Sequence, residues 1–193
     1  MASQMSYDVH SVRKRFPALS RMENGMPVAF LDGPGGSQVA DIAIQAMADY
    51  LLKGSANVHG VHGTSVETDE LLVRGRDAIA DLIGGTGDEV AFGANMTTLN
   101  FAVARALSRD WREGDEIVVT ELDHRANVDP WTTAAEDKGV KVNWIRVDPE
   151  RLTLVLDDLD KVLSPRTKLV AVGLDSNAVG TVNDVKYLAS AAH

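Results

Sequence analysis

Short apolar segments alternate with longer amphipathic segments along most of the chain. The apolar segments are Val-rich and continuous, which is typical of strands covered on both faces. They predict strands at residues 28–31, 89–92, 116–119, 140–146 and 169–172. Helical spacing of apolar residues predicts helices at 8–15, 38–52, 65–83, 97–107, 130–138, 156–163 and 185–193. This alternation indicates an α/β fold with a mainly parallel sheet flanked by helices.

Capping residues and glycines predict the boundaries between these elements. Thr64, with Glu67 three positions later, predicts a capping box at the start of the third helix. Gly-rich loops are expected at 31–38 and 84–89. We assign residues 1–27 to an N-terminal helix and arm, and residues 28–193 to the front part of an α/β domain. The final amphipathic segment resembles a helix cut near its end, so we expect this domain to be incomplete.

Composition narrows the classes of function. The 193-residue chain has a formal net charge of -9, and its 19 basic residues are scattered, so we expect no nucleic-acid partner. It contains no cysteine, which excludes a disulfide framework and a thiolate zinc site within these residues. We find no apolar signal core and no run long enough to cross a bilayer. These features predict a cytoplasmic protein with no membrane partner.

The segment that follows predicted strand 89–92 has the pattern of a phosphate site. A polar turn leads into a helix near Thr97, where unpaired backbone N–H groups and the positive end of the helix dipole point towards one place. The alternative is that Asn95 or Thr97 is simply an N-cap. The glycine spacings of the Walker loop and of the dinucleotide fingerprint are absent, so a monophosphate fits better than a dinucleotide.

A second polar cluster follows strand 116–119. His124 stands beside Asp123 and Arg125, and it fits a general base, a metal ligand or a flat surface for an aromatic ring. The alternative is a solvated loop. Strand 169–172 is likewise followed by Asn177, either a donor to a ligand or a turn residue. Because ligands bind at the carboxyl ends of parallel strands, we expect these segments to face one cavity.

Two further histidines lie in a Gly-rich loop. His59 and His62 have the spacing His-x-x-His, but no third ligand follows at a recognised distance and the metalloprotease helix motif is absent. We therefore predict no metal site. A loop that contacts substrate is the interpretation we favour.

Five ordered motifs resemble the front half of cysteine desulfurase-like proteins of the class V aminotransferase group. These are enzymes of fold type I that depend on pyridoxal 5'-phosphate (PLP). The matching stretches are "VAFLDGPGGSQ", "ANVHGVHGTS", "DEVAFGANMTTLN", "ELDHRANVDPW" and "TKLVAVGLDSNAVG". The resemblance extends over nearly everything from Val28 onwards. The resemblance implies the N-terminal portion of the large PLP-binding domain, an amino-acid substrate and a homodimer.

The resemblance also implies roles for individual residues. The expected cofactor contacts are Met96 and Thr97 at the phosphate, His124 stacked on the pyridine ring and Asn177 near the phenolic oxygen. His124 is also expected to handle a proton. The residues expected on the substrate side are Gly35, Gly36, His59 and His62. Stacking would fix the ring that acts as the electron sink in PLP chemistry.

Departures from the family pattern leave the reaction open. Its Gly-Thr-Thr-Glu stretch is Asn95-Met96-Thr97-Thr98 here, which puts cysteine as substrate in doubt. The Schiff-base lysine of the Ser-x-His-Lys motif is absent from the chain, so we expect the 193 residues alone to be inactive. Aminotransferase, lyase and epimerase outcomes stay open. The alternative is a non-catalytic α/β fragment that binds phosphate or a partner.

Overall fold

A computed structural model describes residues 7–193, which contain seven helices and seven strands. The helices are α1 Val9–Arg13, α2 Asp41–Lys53, α3 Gly63–Ile83, α4 Met96–Leu107, α5 Asp129–Lys138, α6 Leu159–Val162 and α7 Val185–Ala192. The strands are β1 Met22–Glu23, β2 Met26–Pro27, β3 Glu116–Thr120, β4 Lys141–Ile145, β5 Val147–Asp148, β6 Thr153–Leu154 and β7 Thr167–Val170. Two compact units divide the chain, Met1–Ala91 and Phe92–His193.

The second unit is built on a parallel sheet with the strand order β4-β3-β7. Val118, in the centre of β3, lies opposite Asn143 of β4 on one side and Val170 of β7 on the other. All three strands run in the same direction, so their carboxyl ends reach the same edge of the sheet. The sheet therefore presents the segments that follow β3, β4 and β7 at one edge.

Helices cover both faces of this sheet. Ile117 and Val119 of β3 belong to one apolar cluster, which includes Ala104 of α4 and Trp131 of α5. Val118 points to the opposite face, where the cluster includes Leu159 of α6 and Leu188 of α7. The three consecutive residues of β3 are completely buried, as a strand between two helical layers requires. The predicted α/β architecture is confirmed.

The first unit contains α1, α2, α3 and the antiparallel hairpin of β1 and β2. Positive φ angles of 51° at Asn24 and 76° at Gly25 form the hairpin turn. Helix α2 buries none of its side chains, whereas α3 buries Ser65, Thr68 and Ala80. The division into residues 1–27 and 28–193 stays a prediction, and the first six residues of that arm lie outside the described part of the chain.

Most of the predicted elements are confirmed, with shifted ends. All seven helices form, and the prediction at 156–163 is shortened to α6 because a turn at Asp157 and Asp158 precedes it. Three of the five strands form as β3, β4 and β7. Strand β7 begins at Thr167, two residues before the predicted start, because its pairing to β3 begins opposite Glu116. The two short hairpins, β1–β2 and β5–β6, were not predicted.

Two strand predictions and one cap prediction are wrong. Residues 28–31 and 89–92 form no strand, although Val90 has extended angles of φ -104° and ψ 122°. An extended segment becomes a strand only when a neighbour pairs with it along its length. Within the described part of the chain, residues 89–92 have no strand partner, and residues 28–31 have a single such contact, from the Val28 N–H to the Arg21 carbonyl at 3.0 Å. Helix α3 starts after His62 with no side-chain cap. The capping box forms instead at Thr86 and Glu89.

None of the helices within residues 7–193 has the length and apolar character needed to span a membrane.

Glu116 fixes the amino-terminal edge of the sheet. Its carboxylate accepts hydrogen bonds from Ser164 Oγ at 2.9 Å and Asn143 Nδ2 at 3.0 Å. Lys141 Nζ lies 3.5 Å away. The Ser164 hydroxyl and then the Lys141 charge lower the pKa of Glu116. Ionised Glu116 thus joins the start of β3 to β4 and to the turn before β7.

We expect the substitution Glu116→Gln to lower the thermal unfolding midpoint at neutral pH. Because folding lowers the pKa of Glu116, its stabilisation is complete above the pKa of the unfolded chain and disappears as the pH falls through the folded-state pKa. The difference from wild type should therefore shrink in acid. Glu136→Gln, at an exposed position of α5, is the matched control and should change little at any pH. Equal losses at acid and neutral pH would contradict this role.

Candidate functional site

The carboxyl ends of β3 and β7 carry the polar segments that the sequence singled out. Residues 121–127 follow β3, and residues 173–177 follow β7, its direct neighbour in the sheet. Apolar side chains fill both faces of β3, so polar groups first become accessible where the strand ends. The parallel sheet thereby brings the segments of His124 and Asn177 to one edge.

Asp123 joins these two segments directly. Its Oδ2 accepts hydrogen bonds from Thr120 Oγ1 at 2.6 Å and from the Gly173 backbone N–H at 3.0 Å. Its Oδ1 accepts from Asn127 Nδ2 at 2.9 Å. No role was predicted for Asp123 from the sequence, so its contacts are a functional feature that only the structure reveals.

Asn127 extends the contact into the core. Its Oδ1 accepts a hydrogen bond from Trp131 Nε1 at 3.2 Å. Asp123, Asn127 and Trp131 are spaced four residues apart, the spacing of neighbours on one side of a helical turn. That spacing was the signal in the sequence that could have revealed the arrangement.

The backbone of its own turn orients His124. Residues Arg125–Asn127 form a 3-10 turn, and Nδ1 of His124 accepts a hydrogen bond from the Ala126 N–H at 3.0 Å. Nδ1 is therefore an acceptor, which places the proton of the neutral ring on Nε2. The side chain is exposed, so its ring is accessible to a ligand.

Helix α4 begins beside this turn. Asn100, in its second turn, donates a hydrogen bond from Nδ2 to the Ala126 carbonyl at 2.9 Å. Asn95 caps the helix by accepting from the Thr98 N–H at 2.8 Å, so its predicted capping role is confirmed, whereas the phosphate site stays a prediction. The backbone N–H groups of Met96 and Thr97 have no acceptor among the described residues, and they remain able to bind an anion.

Asn177 lies in the turn after β7. The turn closes through a hydrogen bond from the Gly180 N–H to the Ser176 carbonyl at 2.9 Å, with φ 74° at Gly180. Ser176 is buried, whereas Asn177 is exposed. A hydrogen bond of 2.8 Å from Asn183 Nδ2 to the Gly173 carbonyl ties the segment to the residues before α7.

Glu121 and Arg125 point to other partners. Glu121 accepts a hydrogen bond from the Val147 N–H at 3.0 Å and pairs with Arg146. The Val147 N–H and then Arg146 lower the pKa of Glu121. Arg125 pairs with Asp129 at 2.7 Å on the surface. Both side chains serve local structure, which leaves His124 as the accessible group of this cluster.

Gly35, Gly36, His59 and His62 belong to the first unit, so their assignment to the substrate side stays a prediction. His59 has a positive φ of 65°, and its backbone N–H donates to Asp69 Oδ2 at 2.9 Å. Residues 7–193 contain no group of three or more His, Asp or Glu side chains that could hold a metal ion.

A family model, aminotransferase class-V, matches residues 29–193. The chain belongs to the aminotransferase class-V family. It is 33% identical over 189 residues to a probable cysteine desulfurase of Halalkalibacterium halodurans, covering 96% of this chain and 46% of that protein. A cysteine desulfurase of Yersinia pseudotuberculosis is 35% identical, with 97% and 47% covered. The class-V chain thus spans a little under half the length of these curated relatives.

Solved structures agree with this class-V assignment. The apo structure of a cysteine desulfurase from Thermococcus onnurineus has a TM-score of 0.85 and 32% identity, and the match covers 95% of this chain and 44% of that one. A mutant of C-DES, with glycine covalently linked to its PLP cofactor, has a TM-score of 0.64 and 22% identity over 82% of this chain and 39% of that one. The latter likeness is one of fold. The predicted large-domain architecture is confirmed.

We expect Asn95→Ala to reduce the free energy of unfolding by about 1 kcal/mol, since it removes the side-chain cap of α4. Asn95→Asp keeps a capping oxygen and should stay close to wild type. Chemical denaturation of the three proteins checks this. If the alanine and aspartate variants lost equal stability, the capping contact would not be the cause.

Proposed function

We propose that this chain is the front part of a PLP-dependent enzyme of the cysteine desulfurase type, which acts on an amino acid. The observation that supports this most directly is a continuous set of hydrogen bonds. It joins helix α4 to the His124 turn through Asn100, and the His124 turn to the Asn177 segment through Asp123. Three segments with separate expected roles towards the cofactor therefore belong to one framework.

The start of α4 fits the phosphate group of PLP. Two backbone N–H groups, of Met96 and Thr97, lack acceptors among the described residues, and the helix dipole favours an anion there. Thr97 and Thr98 are exposed, so their hydroxyls are available as further donors. Gly93 lies close against α4, because a Cβ at this position would come within 2.6 Å of Leu99 Cδ2. The turn before the helix thus packs against the Leu99 side chain.

His124 fits the role of a stacking plate. Its ring is exposed, and the Ala126 N–H holds Nδ1, so the ring is oriented before any ligand arrives. A flat side chain over a flat cofactor adds attraction beyond simple burial. When bound, PLP supplies an electron sink for the bonds of the substrate carbon that carries the amino group. Nε2 of His124, which carries the proton of the neutral ring, is left to donate a hydrogen bond to a ligand.

The substrate is proposed from the relatives. The curated relatives are cysteine desulfurases, so cysteine is the amino acid we propose. The 193 residues contain no Ser-x-His-Lys motif. We propose that the reactive lysine belongs to the portion of the enzyme that corresponds to the unmatched half of the relatives. The framework described above would then bind and orient the cofactor for that lysine. A cytoplasmic location, consistent with the lack of cysteine, belongs to the same proposal.

We expect the purified protein to bind PLP through residues of α4 and the His124 turn, which equilibrium dialysis measures. Thr97→Val removes a donor to the phosphate, and His124→Ala removes the ring, so each should weaken binding by roughly threefold to tenfold. His124→Phe retains a flat ring and should recover most of the affinity lost in the alanine variant. His10→Ala, at an exposed position of α1, is the control.

These measurements also separate the alternative function. If inorganic phosphate competed with PLP but the His124 variants had no effect, the chain would be a phosphate-binding fragment without a cofactor site. If neither PLP nor phosphate bound, the proposed function would be wrong for this chain.

A homodimer is the second part of the proposal. Helix α2 buries no side chain, although it carries Met47, Leu51 and Leu52 with exposed fractions of 60%, 69% and 84%. Met47 and Leu51 are four residues apart and lie on the same side of the helix. Apolar patches of this kind are typical of surfaces that another polypeptide covers. We propose that a second copy of the chain contributes to that cover.

We expect Leu51→Glu to raise the dimer dissociation constant by more than about tenfold, since it places a charge in an apolar contact. Analytical ultracentrifugation over a range of concentrations measures this. Ser55→Glu adds the same charge at an exposed position just after α2 and is the control. A wild-type protein that is monomeric at all concentrations would overturn the homodimer.

A further inference from the structure

Two groups that can only donate, the Trp131 indole N–H and the Gly173 backbone N–H, decide which atoms donate and which accept in the hydrogen bonds around Asp123. The indole Nε1–H of Trp131 can only donate, so the Asn127 atom that faces it must be the oxygen. The amide of Asn127 then turns its NH₂ group towards Asp123 Oδ1, 2.9 Å away. The side chain at position 123 must accept a hydrogen bond on this atom.

Oδ2 of Asp123 must also accept hydrogen bonds. The backbone N–H of Gly173 can only donate, and it lies 3.0 Å from Asp123 Oδ2. Thr120 Oγ1 accepts from the Asp123 N–H at 3.1 Å and donates its own proton to Oδ2 at 2.6 Å. Both oxygens of residue 123 therefore face donors. An ionised carboxylate satisfies this arrangement, whereas an amide would point an N–H at another N–H.

We propose that Asp123 is a positioning residue, an ionised clasp that fixes the His124 turn relative to the segment of Asn177. The clasp comprises Asp123, Asn127, Thr120 and the Gly173 N–H. Its effect on a cofactor rests on the proposed function, whereas its hydrogen-bond direction does not. Its role is to fix the position of the His124 turn relative to the segment that begins at Gly173. Asp123 itself does not react.

Gly173 is the second requirement of the clasp. A Cβ at this position would lie 2.8 Å from Asp123 Oδ1, closer than real Cβ contacts allow. The carboxylate and the backbone that follows β7 can therefore approach each other only because residue 173 has no side chain. Gly173→Ala should open the clasp from the opposite side.

An exchange of side chains between positions 123 and 127 tests the proposal. In Asp123→Asn, an NH₂ group meets either the Gly173 N–H or the Asn127 NH₂. In Asn127→Asp, two carboxylates face each other. In the double variant, the carboxylate now at position 127 accepts from Trp131 and from the amide now at position 123. The oxygen of that amide accepts from Thr120 and Gly173, so every donor is satisfied again, with the same composition and net charge as wild type.

We expect each single variant to raise the equilibrium constant for unfolding by roughly tenfold or more, and the double variant to recover most of that loss. Hydrogen exchange of the Gly173 backbone amide, which every variant retains, should follow the same order. Asp129→Asn, in the exposed pair with Arg125, is the matched control and should change little. Additive losses in the double variant would overturn the clasp.

Equilibrium dialysis of PLP with the same proteins tests the positioning role. We expect Asp123→Asn and Gly173→Ala to weaken binding at least about threefold under conditions where both are folded, and the double variant to approach wild type. If the exchange rescued stability but left PLP affinity unchanged in every variant, the clasp would have no positioning role. If wild type itself bound no PLP, the proposed function would fail, and the unfolding and exchange data would still test the direction of the hydrogen bonds.

Discussion

The arrangement of the second unit depends on the burial of β3 on both faces. Ile117, Val118 and Val119 are fully buried between two helical layers, so no polar side chain is tolerated along the strand without a partner. The chemistry must then begin where the strand ends. Thr120, itself buried, is the first polar residue there, and its hydroxyl is already committed to Asp123. The site is in this sense a consequence of the core.

Much of this architecture could be predicted because it depends on local pattern. The Val-rich run of β3 and the helical spacing of apolar residues are visible in the sequence itself. The order of the five motifs indicated the family. The strand predicted at 89–92 failed for a different reason. Its backbone at Val90 is extended, but strand formation requires a neighbour, and pairing is not encoded in the segment itself. The Thr64 cap failed because α3 begins one residue earlier than that threonine.

The contacts around His124 could not be predicted from the sequence pattern alone. The sequence pointed to His124 because a histidine at the end of a strand can move a proton, bind a metal or stack on an aromatic ring. It assigned no role to Asp123. Only the pairing of β3 with β7 brings Gly173 to the carboxylate, across fifty positions of sequence. A long-range backbone contact of this kind has no local signature. The spacing of Asp123, Asn127 and Trp131 was visible, but its meaning depended on which side of the turn faces the core.

The clasp also limits which groups can act on a proton. A base needs an oxygen or nitrogen that is free to accept, yet both oxygens of Asp123 already accept hydrogen bonds from protein donors. Nδ1 of His124 is likewise occupied by the Ala126 N–H. Nε2 of His124 carries the proton of the neutral ring, so it faces a ligand as a hydrogen-bond donor and not as a base. The hydrogen bonds that fix the framework therefore occupy the acceptor atoms of Asp123 and of His124 Nδ1, and they leave His124 with an oriented ring and a donor, which suits a residue that positions a cofactor.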